Sequence, residues 1–359
     1  MVGIPLGVVA ARLRETIDEN REYTVVRNDN LFRASFVDRH VFSTDYGRAR
    51  ALLADLLAAY DGVPVDEAVQ GAWTDGPLGE SWVVSSSEST PGPAPRPDAA
   101  LQLLRRDLRL VHGVGPALES RLGRRGYTGI DDLVWHRRLA PAAQWALEAL
   151  DSGDPSRIAR FCADRRGCSH PDFFLAAELR DESDHIYLDL ETLGLFSRPV
   201  ILFGLARLRD GRIEVEQHLV RDPTYERSAL AAALAALSDS GLLVSFNGRS
   251  FDVPYLAERA AYYGLDHAVP AHHLDLLPIA RRLWRDRLPD CRLSTVEAGV
   301  LGHERPLDDL PSAMVPEFYT AYHRSGNPGP LLPILAHNRE DLVSMVRLVA
   351  RLREVCLAG

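Results

Sequence analysis

Three consecutive strand-like segments constrain the fold of this chain more than any other feature. They are "HIYLDLET" (185–192), "PVILFGLARL" (199–208) and "RIEVEQHLV" (212–220), rich in apolar and β-branched residues and separated by short turns. Short turns join antiparallel neighbours, so the three segments predict a meander. The middle segment is almost wholly apolar, which predicts a strand buried on both faces.

The segments that follow alternate between helix and strand. A helical pattern, "YERSALAAALAAL" (225–237), precedes the apolar run "GLLVSFN" (241–247), and a second helical pattern, "DVPYLAERAAYYG" (252–264), comes next. Three antiparallel strands followed by alternating helix and strand is the order of a ribonuclease-H-like fold. We therefore predict an α/β domain over 184–359, with a mixed sheet flanked by helices.

Upstream of that domain the composition indicates two further regions and a linker. The stretch "SSSESTPGPAPRPD" (85–98) is rich in Ser and Pro and predicts a linker, since such a composition cannot build a packed core. Residues 1–84 combine the strand-like "YTVVRNDNLFRASFVDRHVF" with the helical "YGRARALLADLLAAY", which predicts a small α/β module whose role is unknown. Residues 99–180 predict a helical region.

Composition limits the kind of protein. The formal net charge of −9 argues against a chain that coats nucleic acid by bulk electrostatics, although a local patch can still bind it. The sequence has no apolar run long enough for a transmembrane helix and no basic leader, so we expect a cytoplasmic protein without membrane contact. The four cysteines lack the close pairing of a zinc site, and we expect buried or incidental thiols.

A glycine-containing turn lies within the helical region. "LRLVHGVGPALESRLGRRGYTGIDDLV" (108–134) shows two short helical patterns around "HGVG", where Gly113 and Gly115 allow a tight turn whose N–H groups face an anion. This resembles a helix-hairpin-helix motif, and the resemblance implies that the two glycines contact DNA phosphates. Residues 101–140 carry eight arginines against four acids, although Glu119 departs from the usual motif. The alternative is a structural hairpin with solvated arginines.

Two acidic residues stand one residue apart in the first strand. Because side chains alternate between the faces of a strand, Asp189 and Glu191 point the same way, about 7 Å apart. Like charges so placed raise each other's pKa unless a cation lies between them, which favours a divalent metal site. The alternative is an exposed edge strand whose polar residues face solvent.

Two later segments add polar residues. "FNGRSFDVPYL" (246–256) places Asn247 and Asp252 at a strand-to-helix turn, where ligands bind in open α/β sheets, although Asp252 is also a candidate helix cap. In "LAHNREDLVSM" (335–345), His337 and Asp341 are four residues apart and share one helix face. Alone, such a pair is more often a surface contact than an active site.

Together these motifs resemble a known family. The order DxE, FNGxxFDxPxL, HNxxD is similar to the DEDD exonuclease superfamily and, within it, to the YprB-like ribonuclease-H-like exonucleases. The stretch "HLDLLPIARRLWRDRLPDCRLSTVEAGVLGHERPLDDLP" (273–311) is similar to the segment that this family carries between its second and third motifs. The resemblance implies a 3′–5′ exonuclease acting on DNA, with two Mg²⁺ or Mn²⁺ ions and His337 as general base. The metal ligands it implies are Asp189, Glu191, Asp252 and Asp341.

Other polar residues near these motifs have weaker signals. We expect Asn247 and Arg249 to hold the nucleic acid, together with Arg281 and Arg282 beside Trp284, a residue that either stacks on a base or packs in the core.

Two other functions remain open on the sequence alone. An RNA exonuclease would use the same carboxylates, and a non-catalytic nucleic-acid-binding subunit would keep only the fold. The presence of all four mutually repelling acids argues against the non-catalytic subunit.

Overall fold

In the computed structural model, residues 24–28, 31–35, 39–89, 92–194 and 197–357 are described. The strands are β1 (Thr24–Asn28), β2 (Leu31–Ser35), β3 (Ala72–Gly76), β4 (Gly79–Ser89), β5 (His185–Thr192), β6 (Val200–Arg209), β7 (Arg212–Leu219), β8 (Leu242–Ser245) and β9 (His272–Asp275). The α-helices are α1 (Arg39–Ala59), α2 (Val65–Ala68), α3 (Pro97–Arg106), α4 (Pro116–Gly123), α5 (Ala140–Leu150), α6 (Pro155–Arg166), α7 (Pro171–Ala177), α8 (Glu226–Ser238), α9 (Asp252–Tyr263), α10 (Leu276–Trp284), α11 (Leu293–Val296), α12 (Val315–Ser325) and α13 (Leu331–Leu357).

The main sheet has seven strands in the order β3-β4-β7-β6-β5-β8-β9. The meander predicted from the sequence is present, because β5 pairs antiparallel with β6 and β6 antiparallel with β7. Strands β8 and β9 continue the sheet on the other side of β5 in the parallel direction. The mixed α/β architecture predicted for 184–359 is therefore confirmed.

Helices cover both faces of this sheet. Alternate residues of β5, including Ile186 and Leu188, pack with apolar residues of α8 and α9 in one core. Tyr187, which points the other way, packs in a second core with α13, a helix that crosses β5, β6 and β7. The strand periodicity of two thus assigns each β5 side chain to one helical layer.

The hairpin β3–β4 corrects the predicted linker and domain boundary. Strand β4 pairs antiparallel with β7 from Trp82↔Leu219 to Ser89↔Arg212, so the serine run at 85–89 is strand rather than linker. These serines serve as acceptors: Ser87 Oγ accepts from Arg212 Nε at 2.9 Å. Residues 72–89 are consequently part of the main sheet, and the predicted module does not end as a separate unit at residue 84.

The helical region packs directly on the sheet. Leu104 of α3 and Phe174 of α7 share a core with Val244 of β8 and Val349 of α13. A buried ion pair also joins the regions, since Arg353 Nε of α13 lies 2.6 Å from Glu178 Oε2 just after α7. The helices of 97–177 and the sheet domain therefore have one continuous core.

The N-terminal part contains a short hairpin and a long helix. Strands β1 and β2 pair antiparallel, as the strand-like pattern predicts, but α1 begins at Arg39 and includes the end of that pattern. Residues 1–23, which belong to the predicted module, lie outside the described residues. In the described ranges no helix is both long and apolar enough to cross a membrane.

Candidate active site

Strand β5 places Asp189 and Glu191 on the sheet face that α13 covers. The strand lies inside the sheet between β6 and β8, so the interpretation of an exposed edge strand is wrong. Glu191 is buried, and Asp189 accepts a hydrogen bond from Asn338 Nδ2 of α13 at 2.7 Å. The two carboxylates therefore face the protein interior.

Asp252, the first residue of α9, is tied to β5. Strand β8 pairs with β5 only as far as Tyr187↔Val244, so the Leu190 N–H lies past the end of this pairing and donates to Asp252 Oδ1 at 3.1 Å. The N-cap position of α9 is Phe251, without a side-chain cap bond. The Asp252 side chain is therefore directed to the strand, and the helix-cap interpretation is wrong.

Helix α13 supplies three neighbouring polar residues. His337 and Asp341 lie on one face, with Nε2 and Oδ2 3.8 Å apart. Between them, Asn338 is fully buried; its Oδ1 accepts from Gln217 Nε2 at 2.8 Å while its Nδ2 donates to Asp189. Helix α13 thus carries both His337, the candidate general base, and Asn338, which binds the Asp189 carboxylate of β5.

The carboxylates interact electrostatically. Burial raises the pKa of Asp189 well above its ordinary value, and three nearby carboxylates, those of Asp341, Glu191 and Asp252, raise it further. Burial raises the pKa of Glu191 to about 8 and that of Asp252 to about 7, with Asp341 among the charges that contribute to both. The site therefore gathers more negative charge than it can keep ionised without a cation.

His337 carries part of the compensating charge. Burial alone would lower its pKa, but the Asp341 charge and the hydrogen bond to Asp309 outweigh burial and raise the pKa to about 9. Without a metal ion, the imidazole at neutral pH is consequently protonated and acts as a counter-ion.

Three residues of the site were missed by sequence reasoning. Arg305 pairs through Nε with Oε2 of the fully buried Glu297 at 2.5 Å, through Nη1 with Asp309 Oδ2 at 3.2 Å, and through Nη2 with Asp341. Arg305, Glu297 and Asp309 all lie within the stretch 273–311. Its overall similarity to the family was visible, but no local spacing distinguishes these residues from surface charges.

A cleft of about 890 Å³ opens onto the site. Its lining includes Asn247, Arg305, His337 and Asp341 and, from the N-terminal part, Leu52 and other residues of α1. Helix α1 therefore forms one wall of the cleft, which gives the N-terminal part of the chain a place at the site.

The fit of a metal depends on Arg305. Within the described ranges, no three His, Cys, Asp or Glu side chains are placed closely enough to hold one ion. Three of the carboxylates already have donors, because Asp341 pairs with Arg305, Asp189 with Asn338 and Asp252 with the Leu190 N–H. A cluster of carboxylate oxygens that carries excess negative charge nevertheless suits a divalent cation. Arg305 therefore competes with a cation for the Asp341 carboxylate.

The turn after β8 is held by Asp275. Asn247 has a φ of +68°, a conformation that asparagine tolerates, and its N–H donates to Asp275 Oδ1 at 2.8 Å. Asp275 also accepts from Arg249 N at 3.1 Å and caps α10 through Leu277 N. Asp275 thus shapes the turn at the site and also caps a helix.

The predicted nucleic-acid-binding arginines lie apart from the cleft lining. The Arg249 guanidinium is bound to the His273 carbonyl and lies over the Phe173 ring, 5.5 Å from its centroid. Arg281 and Arg282 are on α10, and neither belongs to the residues that line the cleft. Trp284 is buried in the core, so its stacking role is excluded.

The glycine turn lies in the helical region, directly before α4. Gly113 has a φ of +83° and Gly115 is extended, at φ −102° and ψ 177°, just before α4. Val114 N donates to Val111 O at 3.1 Å and closes the turn, while a Cβ at either glycine would meet nothing within 4 Å. The structure brings these glycines into one open turn rather than into the carboxylate site.

Comparison with known proteins identifies the domain. Residues 186–353 match the family model described as the RNase_H superfamily. Residues 186–353 therefore form a domain of the RNase H superfamily. Over 197 residues the chain is 32% identical to "Uncharacterized protein YprB" of Bacillus subtilis (strain 168), an alignment covering 54% of this chain and 46% of that protein. Over the aligned residues the chain is thus similar to YprB.

The alignment spans about half the length of the curated relative. A solved structure of the family B DNA polymerase from the hyperthermophilic archaeon Pyrobaculum calidifontis is also similar, with 20% identity and a TM-score of 0.35, covering 49% of this chain and 27% of that one.

Proposed function

We propose that this chain is a metal-dependent 3′–5′ exonuclease that hydrolyses the phosphodiester bonds of DNA. The observation that carries the proposal is the mutual electrostatic contact of four buried or half-buried acidic side chains from β5, α9 and α13, with His337 and Asp341 lining an open cleft. A retired site has no physical reason to retain such repulsion. RNase-H-like domains generally use divalent metals, which agrees with this chemistry.

Four carboxylates would hold the cations, Mg²⁺ or Mn²⁺, two per site. They belong to Asp189, Glu191, Asp252 and Asp341. When bound, such ions supply Lewis acidity for the attacking and leaving oxygens of an in-line displacement.

His337 would accept the proton of the attacking water at Nε2. Its Nδ1 lies 3.0 Å from Asp309 Oδ1, and Nε2 is the ring nitrogen that lies toward Asp341, at 3.8 Å from Oδ2. A general base must be neutral, and its pKa of about 9 in the metal-free site reflects surrounding negative charge. Neutralisation of those carboxylates would bring the pKa down toward the working range.

The glycine turn would hold the DNA backbone away from the cleft. Its N–H groups suit phosphate oxygens, and phosphate contacts position a strand without reading its sequence. An RNA exonuclease with the same carboxylates remains the second candidate, because either backbone suits them.

Degradation of an end-labelled strand tests the proposal. Wild type and Asp189→Asn are incubated with 5′-labelled single-stranded DNA, duplex DNA and RNA, with Mn²⁺ or with EDTA. We expect a ladder shortening from the 3′ end of DNA in wild type with Mn²⁺ only. Equal cleavage by Asp189→Asn would refute the site, and preferential loss of the RNA would select the second candidate.

A further inference from the structure

We propose that Asp309 is the positioning residue of His337, holding the imidazole so that Nε2 is the nitrogen available to take a proton. The inference rests on the proposed function, in which His337 is the base. It concerns a residue in the loop between the π-helical turn at 297–301 and α12, outside the sequence motifs.

The hydrogen bond itself determines which nitrogen carries the proton. His337 Nδ1 lies 3.0 Å from Asp309 Oδ1. An ionised carboxylate only accepts, so Nδ1 must carry the hydrogen and donate it. Hydrogen bonding to His337 and the charge of Arg305 outweigh burial and hold the pKa of Asp309 below its ordinary value, which keeps the carboxylate ionised.

The other nitrogen has different neighbours. His337 Nε2 lies 3.1 Å from Ser312 Oγ and 3.8 Å from Asp341 Oδ2. With Nδ1–H engaged by Asp309, the lone pair of the neutral ring is on Nε2, where the Ser312 hydroxyl can donate to it. The reactive nitrogen therefore faces the last acidic residue of the site.

Asp309 is itself held from a second side. Its Oδ2 accepts from Arg305 Nη1 at 3.2 Å, and Arg305 is anchored by two contacts of 2.5 Å to the buried Glu297. The carboxylate is thus fixed by two partners, one through each oxygen. Fixing a histidine by a carboxylate on its far nitrogen sets both the tautomer and the ring orientation.

Asp308, the residue before Asp309, provides a matched control. Asp308 lines the same cleft but is exposed, whereas the Asp309 side chain is 24% exposed and bonded to His337. Asp308→Asn and Asp309→Asn remove the same charge, one residue apart, and differ in contact with the imidazole. A purely electrostatic effect of a nearby acid would appear in both variants.

Steady-state cleavage of a short oligonucleotide with Mn²⁺ measures the effect. We expect Asp309→Asn to lower kcat about 10–100-fold, the usual effect of removing such a partner, with KM and the Mn²⁺ midpoint of thermal stabilisation within twofold of wild type. Asp308→Asn should lower kcat much less than Asp309→Asn does. Asp309→Glu, which retains the charge but moves the carboxylate, should lie between wild type and Asp309→Asn.

A double-mutant cycle separates positioning from general destabilisation. If Asp309 acts through His337, Asp309→Asn should cause no further loss of kcat in a His337→Ala background. A full additional loss in that background, or a wild-type kcat in Asp309→Asn, would overturn the inference. Cleavage that persists in Asp189→Asn would instead overturn the proposed site, and the inference would fall with it.

Discussion

Asn338 reaches Asp189 only because the residue opposite Asp189 has no side chain. Asp189 pairs in register with Gly204 of β6, and a Cβ added at Gly204 would lie 2.2 Å from Asn338 Oδ1. The 2.7 Å bond from Asn338 Nδ2 to Asp189 Oδ2 therefore passes over a glycine. One residue on β6 thus makes room for the contact between α13 and the carboxylate site.

Gly204→Ala should lower both stability and activity. The methyl group must displace Asn338, and overpacking of this kind costs about 1–3 kcal/mol in the free energy of unfolding. Gly47→Ala is the control, since Gly47 lies in α1 with nothing within 4 Å of the added Cβ and should gain about 0.5–1 kcal/mol. Urea unfolding of both variants provides the comparison; a neutral Gly204→Ala would show that Asn338 moves freely.

Mn²⁺ should raise the melting temperature of the wild-type protein. An ion that binds only the native state stabilises it by mass action and relieves the repulsion that raises the pKa of Glu191 to about 8. Differential scanning fluorimetry with increasing Mn²⁺ should show this rise in wild type but not in Asp189→Asn or Asp252→Asn. An equal rise in all three proteins would exclude these residues as ligands.

Removal of Arg305 should strengthen Mn²⁺ binding. The guanidinium holds Asp341 Oδ1 and competes with a cation for the carboxylate. Because Glu297 is fully buried beneath Arg305, the variant is Glu297→Gln/Arg305→Gln, which avoids an unpaired buried charge. We expect its midpoint in a Mn²⁺ titration to fall about tenfold, a change of about 1.4 kcal/mol. A midpoint equal to or above the wild-type value would contradict the competition.

The glycine turn should matter for long substrates only. Gly113→Ala/Gly115→Ala puts strain on the left-handed residue 113 and places a methyl group on an otherwise open surface. Affinity for long DNA, measured by fluorescence anisotropy, should fall about tenfold while kcat on a short oligonucleotide is retained. Unchanged affinity in a folded double variant would favour the structural interpretation of this hairpin.

Buried histidines should make the protein sensitive to acid. His185 and His272 flank Leu242 across the sheet, and neither ring has a hydrogen-bond partner within the described structure. Burial lowers the pKa of each to about 3. As the pH falls, these histidines bind protons in the unfolded chain at a higher pH than in the folded protein. The stability that they allow is therefore complete above pH 6.5 and decreases as the pH falls toward their folded-state pKa of about 3.

The expected slope is about 1.4 kcal/mol per pH unit for each histidine below pH 6.5. Urea unfolding of wild type and His272→Leu at several pH values between 7.5 and 5 measures it. The leucine variant should show the smaller loss of stability on acidification. Identical pH dependence in both proteins would show that His272 is not responsible.

Local periodicity determined much of the fold and of the site from the sequence. Alternation along a strand is enough to place Asp189 and Glu191 on one face, and a spacing of four on a helix is enough to align His337 with Asp341. The order of β5, β6 and β7 followed from short turns for the same reason. These features depend on neighbours in the chain, so the sequence alone was sufficient to predict them.

Only the tertiary structure decided the contacts between distant segments. The serine run at 85–89 has the composition of a linker, yet β7 provides partners for its backbone and it becomes a strand. Arg305 lies 36 residues from Asp341, and Asp309 lies 28 from His337, in a loop whose path no local pattern specifies. Those ion pairs form because partial burial against α13 reduces the contact of the charged groups with water, which makes an unpaired charge there costly.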